Sequence, residues 1–273
     1  METPDIRKPA VAGQFYPSSP QSLKNQIEAM ADKKAVKQDV IACMLPHAGY
    51  MYSGAVAAAT VSQINIKDKV ILLGPNHTGF GAQFSIMTQG IWQTPLGEVK
   101  IDSPLAKKIL DNSKYLEEDN LAHMYEHSLE VELPFLQYFK RDFQIVPIAF
   151  LSDELEALKS VGEEIGGVLK EPGLKGSVMI VASSDMTHYE PQKDAERKDK
   201  EAINALLELD EDKLMERIRR LNISMCGYAP AIVMVKAAKT LGAKNAKLIK
   251  YQTSGDVTGD LDSVVGYAGL IVY

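Results

Sequence analysis

Three of the five histidines in the chain follow a short apolar run, and each stands just past the end of its run. The runs and their histidines are 40–45 with His47, 70–73 with His77, and 178–182 with His188. Runs of this composition are typical of buried β-strands. Because ligands bind at the carboxyl ends of strands in open α/β sheets, we predict that the three imidazoles share one cavity. A single histidine in such a position is more often a turn or surface residue.

A cysteine adds a second kind of donor to this set. Cys226 stands shortly before the apolar segment 229–241, which is predicted to be a helix. The N-terminal end of a helix lowers the pKa of a nearby thiol and so favours the thiolate. A thiolate with two imidazoles suits iron, copper or zinc. An incidental cysteine at a helix start explains the position equally well from the residues alone.

The other two histidines occur close together. His123, Glu126 and His127 match the H-x-x-E-H pattern of a class of zinc proteases. We interpret this as a chance match, because His123 lies ahead of the predicted helix and the pattern needs a further ligand downstream. A peptidase of this kind would need His123, and not Cys226, for zinc binding. His127 alone is retained as a candidate for the cavity.

The order of the segments predicts the fold class. Strands are predicted at 40–45, 70–73, 145–150, 178–182 and 264–273, and helices at 20–31, 53–64, 127–139, 153–169, 195–220 and 229–241. Alternation of this kind indicates a layered α/β fold with a central, mostly parallel but mixed sheet flanked by helices. We expect a single domain over 1–273. Glu130 and Glu132 are placed in the first turn of their helix, and Trp92 in a turn or hairpin at 90–97.

Composition excludes several classes of function. The net charge is −6 and basic residues are not clustered, which argues against nucleic acid as a partner. Two cysteines do not make a disulfide framework, and Cys43, inside an apolar run, is expected to be buried. The first residues lack the apolar region of a signal peptide, and no segment approaches the roughly 20 apolar residues of a membrane span. A cytoplasmic protein that does not enter the membrane is therefore expected.

Six motifs together resemble the Memo-like family, whose prokaryotic members are named AmmeMemoRadiSam system protein B. In chain order they are RKPAVAGQFYP from Arg7, PHAGYMYSG around His47, GPNH at His77, EHSLEVELPFLQ at His127, SSDMTHY around Asp185 and CGYAP at Cys226. They are spread over nearly the whole chain. The combination is far more specific than any one motif.

The resemblance implies a fold similar to that of LigB-type (class III) extradiol dioxygenases, which are non-haem iron enzymes. It implies a metal site at His47, His77 and Cys226, in a pocket lined by His127, Asp185 and His188. The third ligand of the dioxygenases is a carboxylate, so a cysteine there puts catechol cleavage in doubt. The animal relative is described as a metal-binding signalling protein that recognises a phosphotyrosine peptide. The system name implies an AMMECR-type protein and a radical-SAM enzyme as partners.

Two functions follow from these readings. In the first, the chain is a metal-dependent oxidoreductase, dioxygenase-like, with iron or copper, or else zinc, as cofactor. His127 and His188 would then act as acid or base, and Asp185 would orient an imidazole or add a ligand. In the second, the chain is a non-catalytic metal-binding or recognition module whose cavity binds a small-molecule, anionic or phosphopeptide ligand. Both functions need the same cavity.

Overall fold

The computed structural model describes residues 5–273, and a mixed sheet of 12 strands runs through it. The strands are β1 (Ile6–Arg7), β2 (Ala42–Leu45), β3 (Lys69–Pro75), β4 (Phe84–Ile86), β5 (Ile91–Thr94), β6 (Gly97–Ile101), β7 (Glu117–Glu118), β8 (Gln144–Phe150), β9 (Val178–Ser183), β10 (His188–Glu190), β11 (Ala246–Thr253) and β12 (Val264–Val272). The helices are α1 (Pro20–Met30), α2 (Tyr50–Ser62), α3 (Ser103–Asp111), α4 (Leu121–Met124), α5 (Leu133–Phe139), α6 (Leu155–Leu169), α7 (Gln192–Leu207), α8 (Glu211–Leu221), α9 (Tyr228–Thr240) and α10 (Gly255–Thr258).

The centre of the sheet is parallel. Strands β6, β8, β3, β9 and β2 lie side by side in this order, and each pair of neighbours is parallel. Antiparallel pairs occur toward both ends, as β5 with β6 and β12 with β2. The predicted mixed, mostly parallel sheet is thus confirmed. Its register places the ends of β2 and β9 together, with Leu45 opposite Ser183, so the residues that follow these strands emerge at one edge.

Helices cover the sheet in two groups. The apolar helix α9 packs against β3 and β9 and also against α6, whereas α2 packs against β11, β12, α1 and α5. The central strands are consequently buried almost throughout, as expected for parallel strands covered by helices. Cys43 in β2 is free and buried, which confirms that prediction. Within residues 5–273, no helix has the length and apolarity that crossing a membrane requires.

Two predicted helices are wrong in part. The helix predicted for 127–139 begins only at Leu133, because residues 128–132 form turns in which buried side chains make tertiary hydrogen bonds. Glu130 and Glu132 therefore precede the helix, and both are fully buried. The helix predicted for 195–220 is divided into α7 and α8 around Leu209, whose φ is 53°. Asp210 then caps α8 by accepting a hydrogen bond from the Lys213 amide.

Trp92 occupies the hairpin that the sequence predicts. Strands β5 and β6 pair antiparallel through this turn, with Trp92 opposite Val99. The indole is completely buried and lies under the guanidinium of Arg7, whose Cζ is 4.2 Å from the ring centroid. Trp92 is thus part of the core and does not line the cavity described next.

Candidate metal centre

Six side chains singled out from the sequence line one cavity at the carboxyl ends of β2, β3 and β9. The cavity has a volume of ≈ 610 Å³. The six residues are His47, His77, His127, Asp185, His188 and Cys226. Aromatic side chains complete the wall, namely Phe15, Tyr52, Tyr189 and Tyr267. Residues far apart in sequence meet here because their strands end side by side.

His47 and Cys226 lie closest together. Cys226 Sγ is 3.3 Å from His47 Nε2, and the other ring nitrogen, Nδ1, is 2.7 Å from the Ser183 hydroxyl. Cys226 can come this close to His47 because the next residue is Gly227. A Cβ at Gly227 would lie 2.2 Å from the carbonyl oxygen of Ser183, a distance that no side chain tolerates. The close approach of two backbones therefore places the thiol beside the imidazole.

His77 is oriented by the carboxylate of Glu126, a residue that was not among the predicted site residues. Nδ1 of His77 is 2.9 Å from Glu126 Oε1, and the His77 backbone amide donates to the other oxygen of Glu126. The same Oε1 accepts from the backbone amides of His127 at 2.9 Å and Ser128 at 2.8 Å. This arrangement fixes the ring and leaves Nε2 of His77 free. Glu126 stands in the H-x-x-E-H pattern, which was the one available signal for it.

The three inner imidazoles form a compact group. His127 stacks on His77 with ring centroids 4.7 Å apart, and His47 meets His77 and His127 edge-on at 5.2 and 5.5 Å. One ligand atom each from His47, His77 and Cys226 can be chosen so that all lie within 4.8 Å of one another. A second such group consists of His77, Glu126 and His127. In that group the carboxylate oxygen already accepts several N–H bonds, so the first group is the better donor set.

Asp185 connects the two strand ends. Its Oδ1 accepts from the backbone amides of His47 at 2.8 Å and Ala48 at 3.3 Å. Its own amide donates to Cys226 Sγ at 3.3 Å. Burial raises the pKa of Asp185 to about 6, against the opposing effect of His188. Asp185 thus fixes the backbone at His47 through its carboxyl group and the thiol of Cys226 through its own amide.

His188 lies at the rim of the cavity. Its Nδ1 donates to the carbonyl oxygen of Ser224 at 2.9 Å, which assigns the proton to that nitrogen because a carbonyl only accepts. Nε2 is then the free nitrogen. The next residue, Tyr189, has a φ of 58° at an irregularity of the β10–β12 pairing, and its side chain is exposed at the cavity mouth. His188 belongs to neither donor group.

Burial lowers the pKa of two of the inner imidazoles, those of His47 and His127. Burial, reinforced by His77 and His127, lowers the pKa of His47 well below its ordinary value. Burial also lowers the pKa of His127, although Glu126 opposes this effect. Burial would raise the pKa of Glu126, but its hydrogen bond to His77 and the charges of His77 and His127 outweigh it and lower the pKa to about 2. Glu126 is therefore an ionised carboxylate within the group of imidazoles.

The expected thiolate character of Cys226 is wrong for the protein alone. Burial of the thiol, together with the charge of Asp185, raises the pKa of Cys226 above its ordinary value. Cys226 precedes the first residue of α9 by two positions, with Gly227 as the N-cap. The desolvation of the thiol outweighs the effect of the helix end that the sequence suggested.

A buried ion pair supports the Glu126 segment from behind, and the sequence reading missed it. Arg7 Nη1 lies 2.6 Å from Glu130 Oε2, with both side chains almost wholly buried. Arg7 also donates to the carbonyl oxygens of His123 at 2.8 Å and Glu126 at 2.5 Å. Tyr16 donates to Glu130 at 2.5 Å. Arg7 and Tyr16 stand in the first of the six motifs, so the motif was visible although its structural role was not.

His123 is not part of the site. It is fully buried, and its Nε2 lies 3.0 Å from the Ser85 hydroxyl. Its position in the short helix α4 differs from the expectation that it precedes a helix. Neither donor group contains His123, so the geometry gives the zinc-protease pattern no support.

Comparisons with known proteins agree on one family. A family model described as "Memo-like protein" matches residues 7–271. A "MEMO1 family protein" of Methanosarcina mazei is 43% identical, covering 98% of this chain and 99% of the relative. Similar proteins of Methanocaldococcus jannaschii and Aquifex aeolicus are each 44% identical, covering 98% and 97% of this chain and 99% and 98% of the relatives.

A solved structure shares the fold. The crystal structure of the uncharacterized protein JW3007 from Escherichia coli K12 superposes with a TM-score of 0.58 over 85% of this chain and 99% of that chain. The two sequences are only 12% identical, so this likeness concerns the fold alone.

Proposed function

This chain belongs to the Memo-like family, and we propose that it binds a transition-metal ion through His47, His77 and Cys226. One observation carries the proposal. Two imidazole nitrogens and one sulfur converge at the strand ends, while the second nitrogen of each ring is engaged by Ser183 or Glu126. Metal-binding histidines use their second nitrogen in this way, because the outer partner fixes the ring and its tautomer.

The protonation states support a metal site. Metals bind neutral imidazole and thiolate, so a histidine whose pKa is lowered pays little to release a proton on binding. The low pKa of His47 meets this condition. Cys226 must lose its proton when the metal binds, which predicts that affinity rises with pH.

The donor set favours a soft or intermediate metal, so iron or copper is proposed as the native ion and zinc as the alternative. A redox-active ion, when bound, would supply one-electron chemistry toward a small substrate in the cavity. His188 would then serve as acid or base at the rim through its free Nε2, and His127 would do so beside the metal. Asp185 would hold the backbone of His47 and the sulfur of Cys226 in place. The proposed class is a metal-dependent oxidoreductase.

Recognition of an anion or a phosphopeptide is less well supported. Within residues 5–273 the cavity wall contains no lysine or arginine. His47 and His127, whose pKa is lowered, would have to become charged before they could pair with a phosphate. A metal-binding module without turnover remains the second candidate, because it needs the same donors.

Metal content tests the proposal. Anaerobically purified protein is analysed by mass spectrometry for the wild type and for His47→Ala, His77→Ala and Cys226→Ala. Cys43→Ala is the matched control, since it removes the other thiol, which lies in the core. We expect near-stoichiometric iron or copper in the wild type and the control, and loss in the three variants. A wild type that takes up no metal would overturn the proposal, and metal without oxygen consumption would select the module over the oxidoreductase.

A further inference from the structure

A carboxyl group without a charged partner lies behind His47. The side chain of Glu132 is fully buried, and its Oε1 is 2.8 Å from the Ser183 hydroxyl oxygen. Its other oxygen, Oε2, has no hydrogen-bond partner within residues 5–273. The buried cation of this region, Arg7, is engaged by Glu130 instead. Glu132 thus differs from the other buried acids near the site, which accept several N–H bonds.

The contacts of Ser183 reveal the protonation state of Glu132. The Ser183 oxygen has three partners, namely His47 Nδ1 at 2.7 Å, the Ser128 carbonyl oxygen at 2.7 Å and Glu132 Oε1 at 2.8 Å. A hydroxyl has one proton to donate and two lone pairs to accept with. The carbonyl only accepts, so it takes the proton of Ser183. The two remaining partners must then both donate, which places a hydrogen on His47 Nδ1 and one on Glu132 Oε1.

If Glu132 were ionised, the hydrogen bonds around the Ser183 hydroxyl could not all be made. Ser183 would then offer one proton to two acceptors, and either the carbonyl of Ser128 or the carboxylate would stay unpaired. A buried carboxylate with a free oxygen and no cation is far more costly than a buried neutral acid. Burial likewise raises the pKa of Glu132 well above its usual range, with Asp185 adding to the effect and Ser183 opposing it.

We propose that Glu132 is a protonated carboxylic acid that acts through Ser183 as a positioning residue for His47. Glu132 donates to Ser183, Ser183 donates to Ser128, and the hydroxyl oxygen accepts from Nδ1 of His47. This chain of hydrogen bonds fixes the tautomer that carries its hydrogen on Nδ1. Nε2 is then the one ring nitrogen with a lone pair available to a metal ion. The role in metal binding rests on the proposed function above, because it assumes that His47 is a ligand.

Infrared difference spectroscopy tests the protonation state without any metal. Metal-free wild type and Glu132→Gln are compared at about pH 8, where Asp185, with a pKa of about 6, is ionised. We expect a carbonyl stretch of a protonated carboxylic acid in the wild type that is lost in Glu132→Gln. Absence of this band from the difference spectrum would overturn the inference whatever the protein does with metals.

Titration with Co²⁺ tests the positioning role. Ser183→Ala removes the link to His47, and we expect its Co²⁺ affinity to fall at least about tenfold, the size of effect typical for a residue that orients a ligand. Glu132→Leu removes the donor to Ser183, and we expect its affinity to fall toward that of Ser183→Ala. Glu132→Gln keeps a neutral donor and should restore the affinity to within about threefold of the wild type. Ser62→Ala is the control, because Ser62 is also buried and donates only within α2.

The two outcomes separate the two proposals. If Glu132→Leu binds Co²⁺ as tightly as the wild type, or if Glu132→Gln binds it as weakly as Ser183→Ala, the neutral-donor role of Glu132 is overturned while the metal site stands. If the wild type binds no Co²⁺, the proposed function fails and the positioning role fails with it. The infrared band then still reports the protonation of Glu132 separately.

Discussion

The two histidines of the proposed metal site are held in opposite ways. His77, whose side chain is 35% exposed, is held by the ionised carboxylate of Glu126, which Arg7 supports through the backbone. His47, only 2% exposed, is held by the neutral hydroxyl of Ser183. The difference follows from hydrogen bonding, because the Glu126 carboxylate is buried as well. Glu126 accepts from the backbone amides of His77, His127 and Ser128, whereas a charge on the acid behind His47 would have no such donors.

We call the surroundings of His77, with Glu126, Glu130 and Arg7, the charged side, and the surroundings of His47, with Ser183, the neutral side. The largest loss of stability is expected when the charged side loses its cation, Arg7. Arg7→Met leaves Glu130 buried without its partner, and we expect the free energy of unfolding to fall by about 3–5 kcal/mol. Urea denaturation of the metal-free protein measures this. Lys33→Met is the control, because the Lys33–Glu28 pair is exposed and should contribute nothing measurable. A fall of less than about 1 kcal/mol for Arg7→Met would show that the charged side does not depend on this cation.

The acids of the two sides are expected to respond to pH with opposite signs. The pKa of Glu126 is lowered from 4.5 to about 2. Its stabilising contribution is therefore present above pH 4.5 and is lost as the pH falls toward 2, by about 3 kcal/mol in total at 1.36 kcal/mol per unit. The pKa of Asp185 is raised from 3.8 to about 6. Its ionisation therefore destabilises the folded state as the pH rises through this interval.

Unfolding free energies of metal-free wild type, Glu126→Gln and Asp185→Asn across this pH range check both signs. The advantage of the wild type over Glu126→Gln should shrink on acidification below about pH 4.5. The stability of the wild type relative to Asp185→Asn should instead improve between about pH 6 and pH 4. Differences that change in the same direction for both variants would contradict the contrast between the two sides.

The neutral side depends on close packing, and a smaller effect is expected there. Gly227→Ala places a Cβ against the Ser183 carbonyl, so Cys226 must move away from His47. We expect destabilisation of about 1–3 kcal/mol, as for other overpacked positions, and weaker metal binding. Gly167→Ala is the matched control, since its Cβ meets open space in α6 and should stabilise the helix by up to about 1 kcal/mol. Unchanged metal affinity in Gly227→Ala would remove the packing argument for Cys226.

The sequence predicted the parts of the site that local pattern determines. Apolar runs followed by His47 and His77 gave the strand ends correctly, because parallel strands end at one edge of a sheet. The residues that hold the ligand histidines from outside the site could not be predicted from the sequence. Arg7 pairs with Glu130 across 123 positions, and no periodicity records such a contact. The role of Glu126 likewise depends on where its two oxygens point.

Two errors have a common physical cause. A helix was expected from 127 because Leu129, Leu133 and Leu136 would share one helical face. Tertiary hydrogen bonds of the buried Ser128 and Glu130 instead hold the start of this segment in turns. A thiolate was expected at Cys226 because of a nearby helix end, but burial dominates its pKa. In both cases a local rule was outweighed by the surroundings of the folded chain. Such surroundings cannot be read from neighbouring residues.

The central claim is that His47, His77 and Cys226 bind one metal ion. X-ray absorption spectroscopy of zinc-loaded protein measures the ligands directly, because zinc is redox-inert and its bond lengths are distinctive. We expect one sulfur at about 2.3 Å and nitrogen ligands at about 2.0–2.1 Å in the wild type, with the sulfur lost in Cys226→Ala. A wild-type spectrum without sulfur, or a sulfur that persists in Cys226→Ala, would contradict it.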